Sequence, residues 1–128
     1  MENLIVEATR SSPAIRFDAE QRCLRLSGES YPENAAAFYA PVFAWLKAFL
    51  VTLAPGAAVR VELDIQYLNS SSTKVMLNLL DLLEQAAQDG TPIAVEWYYD
   101  PDNEAMLECG QDFSEELTAL DFHLMERS

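Results

Sequence analysis

The sequence predicts a single α/β domain on a mixed β-sheet, with an N-terminal hairpin and helices packed on it in the order β-β-α-β-α-β-α-β. Three observations predict this. Val59, Val61, Leu63 and Ile65 alternate with Arg60, Glu62, Asp64 and Gln66, the period-two pattern of a strand with one apolar face. Lys74 to Gln88 places Met76, Leu79, Leu80, Leu83 and Ala87 on one helical face, with Val75, Leu82 and Ala86 beside them and a narrow polar strip opposite. Strands separated by helices favour right-handed parallel crossovers, so the hairpin should give way to parallel strands.

At 128 residues, half of them hydrophobic, the chain can bury a real core in one domain. Residues 1–11 are expected to be a flexible leader and 12–128 the domain. Ile15 and Phe17 alternate with Arg16 and Asp18, and Cys23, Leu24 and Leu26 follow with Arg22 and Arg25, which reads as a hairpin closed by Gly28. Ser30-Tyr31-Pro32-Glu33-Asn34 is a helix start, with Pro32 or Asn34 near the cap. The helix should run to about Leu53. Phe38, Val42, Trp45 and Phe49 form one stripe, and Tyr39, Phe43, Leu46 and Leu50 a second, with Pro41 expected to kink it or start a new segment. A helix so apolar suits core packing or a partner or dimer surface. After the central strand and helix, Asp89-Gly90 is a C-terminal cap. Ile93, Val95 and Trp97 mark a strand, Asn103 leads into a helix over 104–109 that Gly110 should interrupt, and Leu120, Phe122 and Leu124 mark a last strand.

Net charge is −13, from 21 acidic and 8 basic residues, which disfavours nucleic acid and anionic membranes as partners. No uninterrupted apolar run approaches the roughly 20 residues that span a bilayer. Ala35 to Leu53 comes nearest, broken by Pro41 and Lys47. Met1 to Arg10 lacks a secretory pattern, and Cys23 and Cys109 lack metal-ligand spacing, so a cytoplasmic protein with reduced thiols and no metal or cofactor is expected. Catalysis finds little support: His123 falls on a strand with no coupled nucleophile. Glu62, Asp64 and Glu96 could line the cleft of a small carboxylate enzyme, yet alternating acidic positions on strands usually form a solvated face.

Asn69-Ser70-Ser71-Ser72-Thr73, between the central strand and its helix, allows two readings. One is a redundant helix cap. The other is a phosphoacceptor, because a hydroxyl at a helix start meets outward N–H groups and a favourable dipole. Phosphate would add about −1.5 to −2 charge at pH 7. At 3.6 residues per turn, Ser70 shares a strip with Lys74, Leu77 and Asp81, which suggests a partner contact beside the hydroxyl.

Five motifs in order carry a family resemblance: Ser12-Pro13; Ser30-Tyr31-Pro32-Glu33-Asn34 with Phe38 and Trp45; Tyr67-Leu68-Asn69-Ser70-Ser71-Ser72 with Lys74; Trp97-Tyr98-Tyr99-Asp100; and Met106-Leu107-Glu108 with Gly110-Gln111-Asp112-Phe113. Through them the chain resembles the SiaC family of bacterial regulatory phosphoproteins, which are similar to anti-sigma-factor antagonists of the STAS type. The resemblance implies a non-enzymatic partner switch in a STAS-like fold. A Ser/Thr kinase of the histidine-kinase-like ATPase fold would phosphorylate Ser70, with Ser71, Ser72 and Thr73 as alternates, and a PP2C-type phosphatase would reverse it. The unmodified form would bind and activate a diguanylate cyclase through Asn69, Ser70, Ser71, Lys74, Leu77 and Asp81, raising cyclic di-GMP and favouring biofilm. The family often has Thr where this chain has Ser70. An alternative is an antagonist that controls transcription by sequestering an anti-sigma kinase.

Overall fold

The apolar positions of the strands fall on one side of a six-stranded sheet, and all three helices cover that side. The computed structural model describes residues 1–127. Chain order is β1 (Leu4–Val6), β2 (Ala14–Asp18), β3 (Cys23–Ser30), α1 (Ala35–Thr52), β4 (Val59–Leu68), α2 (Ser70–Gln88), β5 (Ile93–Tyr99), α3 (Glu104–Glu115) and β6 (Asp121–Glu126). The strands lie in sequence order, antiparallel from β1 to β3 and parallel from β3 to β6. The mixed sheet with an N-terminal hairpin is therefore as predicted, with one strand added in front.

That strand corrects the expectation of a flexible leader over 1–11. Leu4, Ile5 and Val6 pair with Phe17, Arg16 and Ile15. The segment is fastened twice more: Trp45 Nε1 donates to the Glu2 carbonyl at 2.8 Å, and Ala19 N donates to Asn3 Oδ1 at 2.9 Å. Gly28 does not close the hairpin either. It lies within β3 at φ +119, where the β3–β4 register slips between Gly28 and Glu29, a bulge that needs a residue free to adopt positive φ.

Ile15, Phe17, Leu24, Leu26, Val61, Leu63, Ile65, Val95 and Trp97 form the buried face. From α1 come Tyr39, Val42, Leu46 and Phe49, and from α2 Met76, Leu79, Leu80 and Leu83. α1 is one element through Pro41, which is exposed. By length and composition α1 could cross a membrane, at mean hydropathy 1.5. Here its inner stripe joins the common core, with Trp45 against Phe17 at 5.3 Å and stacked on Phe49 at 4.9 Å. Core packing thus accounts for its inner face.

The other face of the sheet carries charge. Register aligns Arg16, Arg25, Glu62, Glu96 and His123 in one row. Glu62 opposite Glu96 would be repulsive, but Arg60 Nη2 reaches Glu62 Oε2 and Glu96 Oε1, each at 2.8 Å. Arg25 lies 3.0 Å from Asp64 and 3.6 Å from Glu62, and Arg127 also pairs with Asp64. Arginine therefore neutralises the row that strand alternation creates. Lysine is confined to the helices: Lys47 and Lys74 line opposite ends of the groove between α1 and α2.

The expected break at Gly110 is absent, and α3 continues to Glu115. Gly110 is buried because the Trp97 indole lies on the helix there, and Trp97 Nε1 donates to the Met106 carbonyl at 2.9 Å. A Cβ at Gly110 would come within 2.5 Å of Trp97 Cδ1 and 2.8 Å of Leu124 Cδ2. Glycine is here a condition of contact, not a terminator.

Glu84, on α2, is only 8% exposed. Its carboxylate accepts from the amides of Thr118, Ala119 and Leu120 at 2.9–3.3 Å and from Gln88 Nε2 at 3.0 Å. Burial pushes its pKa upward, but the amides of Ala119 and Leu120, then Gln88 and Thr118, outweigh burial and bring it down to about 2 from 4.5. The carboxylate thus clamps the turn that enters β6.

Two outcomes are expected. Gly110→Ala should destabilise the chain by roughly 1–3 kcal/mol, although alanine is the better helix former by about 1 kcal/mol, and urea unfolding reads the net sign. Because the folded pKa of Glu84 is depressed, its stabilisation is complete above about pH 4.5 and is lost as pH falls towards 2. Glu84→Gln should cost about 1–3 kcal/mol at pH 7 and flatten the pH dependence of urea midpoints across that window.

Candidate functional site

Parallel strands start every connecting helix at the carboxyl ends of the strands, and right-handed crossovers put all three on one face. Asparagine caps all three: Asn34 Oδ1 accepts from Ala37 N at 3.0 Å, Asn69 Oδ1 from Ser72 N at 2.8 Å and Asn103 Oδ1 from Met106 N at 3.2 Å. Asn69 follows the end of β4 in extended backbone, φ −78 and ψ 177, and Ser70 is the first helical residue. The Asn69 carbonyl also accepts from Thr73 N at 2.8 Å and Thr73 Oγ1 at 2.9 Å.

The hydroxyl run divides sharply. Ser70 and Ser71 are exposed, Thr73 is half-buried with its hydroxyl on the Asn69 carbonyl, and Ser72 is fully buried. Ser72 Oγ lies 2.8 Å from Ser30 Oγ, which lies 2.7 Å from Tyr39 OH. The same Ser30 accepts at its carbonyl from Asn69 N at 3.1 Å. Ser72, an alternate acceptor on sequence grounds, is thus a core hydroxyl. One cap, Asn69, does the work that the sequence left spread over five residues.

Beside Ser70 the predicted strip is in place: Lys74 and Asp81 are exposed, while Leu77 is half-buried and packed partly on the core. A cleft of about 400 Å³ separates the starts of α1 and α2, lined by Asn34, Ala35, Ser71, Lys74 and Val75 among others. The β3–β4 register shift turns Tyr67 outward, 47% exposed and edge-on to Tyr31 at 5.9 Å. Ser30, Tyr39 and Tyr67 were not singled out as site residues. Ser30 and Tyr67 stood within quoted motifs, but nothing local shows that a serine 42 residues away meets Ser72.

The other candidates lie away from this turn, and the carboxylates among them meet on arginines. Glu62, Asp64 and Glu96 lie on the open sheet face, each in an arginine ion pair. His123 is exposed, with Nε2 2.9 Å from Asp121. Burial, then Asp112, pushes the Cys109 thiol up to about 11, and burial, then Glu62, raises that of Cys23. Such thiols are poor nucleophiles at neutral pH.

The class of protein follows from this fold, a six-stranded mixed sheet covered on one face by three helices, together with its relatives. The chain belongs to the SiaC family: the model for the SiaC family regulatory phosphoprotein matches residues 6–127. An uncharacterized protein of Pseudomonas aeruginosa (strain UCBPP-PA14) is 39% identical over 117 residues, covering 91% of this chain and 90% of that protein. The structure of SiaC of Pseudomonas aeruginosa superposes with a TM-score of 0.90 at 34% identity, over 99% of this chain and 100% of that one. SiaC in the crystal structure of diguanylate cyclase SiaD with its activator SiaC, also from Pseudomonas aeruginosa, gives 0.88 at 37% identity, over 97% of this chain and 99% of that one.

Because Asn69 carries the cap, Ser70→Ala should change stability by less than about 0.5 kcal/mol. Asn69→Ala should cost about 1 kcal/mol. Thermal melts of the two variants separate the roles, and a loss of several kcal/mol in Ser70→Ala would make Ser70 structural.

Proposed function

We propose that this chain is a non-enzymatic cytoplasmic switch whose unphosphorylated form binds and activates a diguanylate cyclase. Activation raises cyclic di-GMP and favours biofilm or aggregate formation. A Ser/Thr kinase of the histidine-kinase-like ATPase fold phosphorylates Ser70 and releases the cyclase, and a PP2C-type phosphatase resets the cycle. The observation that carries this reading is the near-complete structural match, at 37% identity, to the SiaC that accompanies the diguanylate cyclase SiaD as its activator.

Exposure supports Ser70 as the acceptor, because it follows the cap directly and no fold contact must be broken to modify it. Ser71 is the remaining exposed alternate in the serine run, since Ser72 is buried. Phosphate at the first helical residue meets unpaired amides and the helix dipole, with Lys74 one turn on. The domain therefore has no cause to rearrange. A partner does: it meets a dianion beside Leu77, Lys74 and Asp81, where an apolar contact must exclude water. Burying an unpaired charge there costs several kcal/mol, and each 1.4 kcal/mol is a tenfold change in affinity.

Calorimetric titration of the purified cyclase tests the switch. Ser70→Ala should bind like the unmodified chain, Ser70→Asp and the phosphoprotein at least tenfold more weakly, and Leu77→Ala should weaken binding without phosphate. Equal affinity of the phosphorylated and unmodified forms would overturn switching here. Fragment spectra of the kinase-treated chain that place phosphate only on Ser71 or Thr73 would overturn the assignment of Ser70.

A further inference from the structure

Resting on Ser70 as the acceptor, we propose that Ser30, Ser72 and Tyr39 are positioning residues that fix the register of the acceptor turn and so select the hydroxyl that is phosphorylated. The sequence alone leaves that register open. Asn and Ser are near-equivalent helix caps, with Thr close behind, so a helix entered through Asn69-Ser70-Ser71-Ser72-Thr73 could begin at any of several residues at little cost. Each one-residue slip turns the side chains by about 100° around the axis, at 3.6 residues per turn. A slip would move Ser70 off its outward strip and bring a different hydroxyl onto it.

The fold removes this degeneracy from beneath. Ser30 grips both ends of the turn: its carbonyl holds Asn69 N at 3.1 Å and its Oγ holds Ser72 Oγ at 2.8 Å. Tyr39 OH, 2.7 Å from Ser30 Oγ, completes a hydroxyl chain from β3 to both α1 and α2. All three residues are almost wholly buried, Ser30 and Ser72 at 0% and Tyr39 at 1% exposed. A buried hydroxyl that loses its partner is penalised, so a slipped register would strand the other two in the core. Only Ser70 and Ser71 lie between the two grips, facing water.

The test uses the full chain and the kinase that phosphorylates it, with kcat, KM and site distribution read for each variant. Ser30→Ala and Ser72→Ala should raise the Ser71-to-Ser70 phosphate ratio at least tenfold and lower kcat for Ser70 by a similar factor, with KM within twofold. A turn in register only a tenth of the time presents its acceptor a tenth as often. Tyr39→Phe, which keeps the ring and the Ser30–Ser72 contact, should shift both in the same direction by a smaller factor. The Ser30→Ala/Ser72→Ala double variant should match Ser30→Ala, which by itself already removes the Ser30–Ser72 contact together with Ser30–Tyr39. Glu84→Gln is the control for lost stability, because it loosens the far end of α2 and should leave the ratio unchanged.

Hydrogen exchange on the unmodified chain decides the matter even where a variant fails to fold. The Ser72 and Thr73 amides, bonded to the Asn69 side chain and carbonyl, should be protected like the middle of α2 in the unmodified chain. They should exchange faster in whichever of the Ser30, Ser72 and Tyr39 variants folds. Exchange as fast as a frayed terminus would overturn the lock, as would unchanged site distribution and kcat in folded Ser30→Ala and Ser72→Ala. Absence of phosphate on Ser70 in the wild-type chain would instead refute the acceptor assignment and leave the register lock to be judged by exchange alone.

Discussion

The parallel run from β3 to β6 is the constraint from which the site follows. Once β3, β4, β5 and β6 point the same way, each connecting helix must begin at the carboxyl end of the strands. That end gathers three sets of helix amides left without intrahelical partners. Asparagine answers at all three, from Asn34, Asn69 and Asn103. Crowding the starts together brings the Ser72 hydroxyl within reach of a β3 residue, and that residue within reach of α1. The turn from Asn69 to Thr73 is thereby hydrogen-bonded to β3 as well as within its own helix.

The second consequence of the architecture is one-sidedness. With every helix on one face, strand alternation must deliver polar side chains to the other, and here it delivers carboxylates next to carboxylates. Arg60 between Glu62 and Glu96, and Arg25 and Arg127 on Asp64, make that face tolerable. On the covered side, tightness comes from the Trp97 indole lying on α3, which asks for a residue without a side chain at Gly110.

Much of this was legible in the sequence. The alternation of 59–66 and 93–98, the apolar face of 74–88 and the helix starts near Asn34 and Asn103 are local signals, and these elements stand where their patterns put them. The start of α2 at Ser70, by contrast, had five candidate caps in Asn69 to Thr73. The misreadings share a cause. β1 is three residues long and exists through pairing with β2. Gly110 reads as a helix breaker until the indole of Trp97 is laid on it. Ser72 reads locally as a cap or an alternate acceptor and is buried against Ser30, while Glu84, which carries no local signal, is buried by amides more than 30 residues distant. Periodicity reports which face a residue occupies. It is silent on whether a polar group on that face meets a polar group opposite.

The division of basic residues between the two layers has a practical side. Arg16, Arg25 and Arg60 serve the open sheet, and the helices carry no arginine at all. Lys47 and Lys74 flank the α1–α2 groove at opposite ends. Reagents that acylate side-chain amines therefore mark the helical layer alone, and those that condense with guanidinium groups mark the sheet layer and the loops. Covalent footprinting with the two chemistries would distinguish the two layers without any added tag.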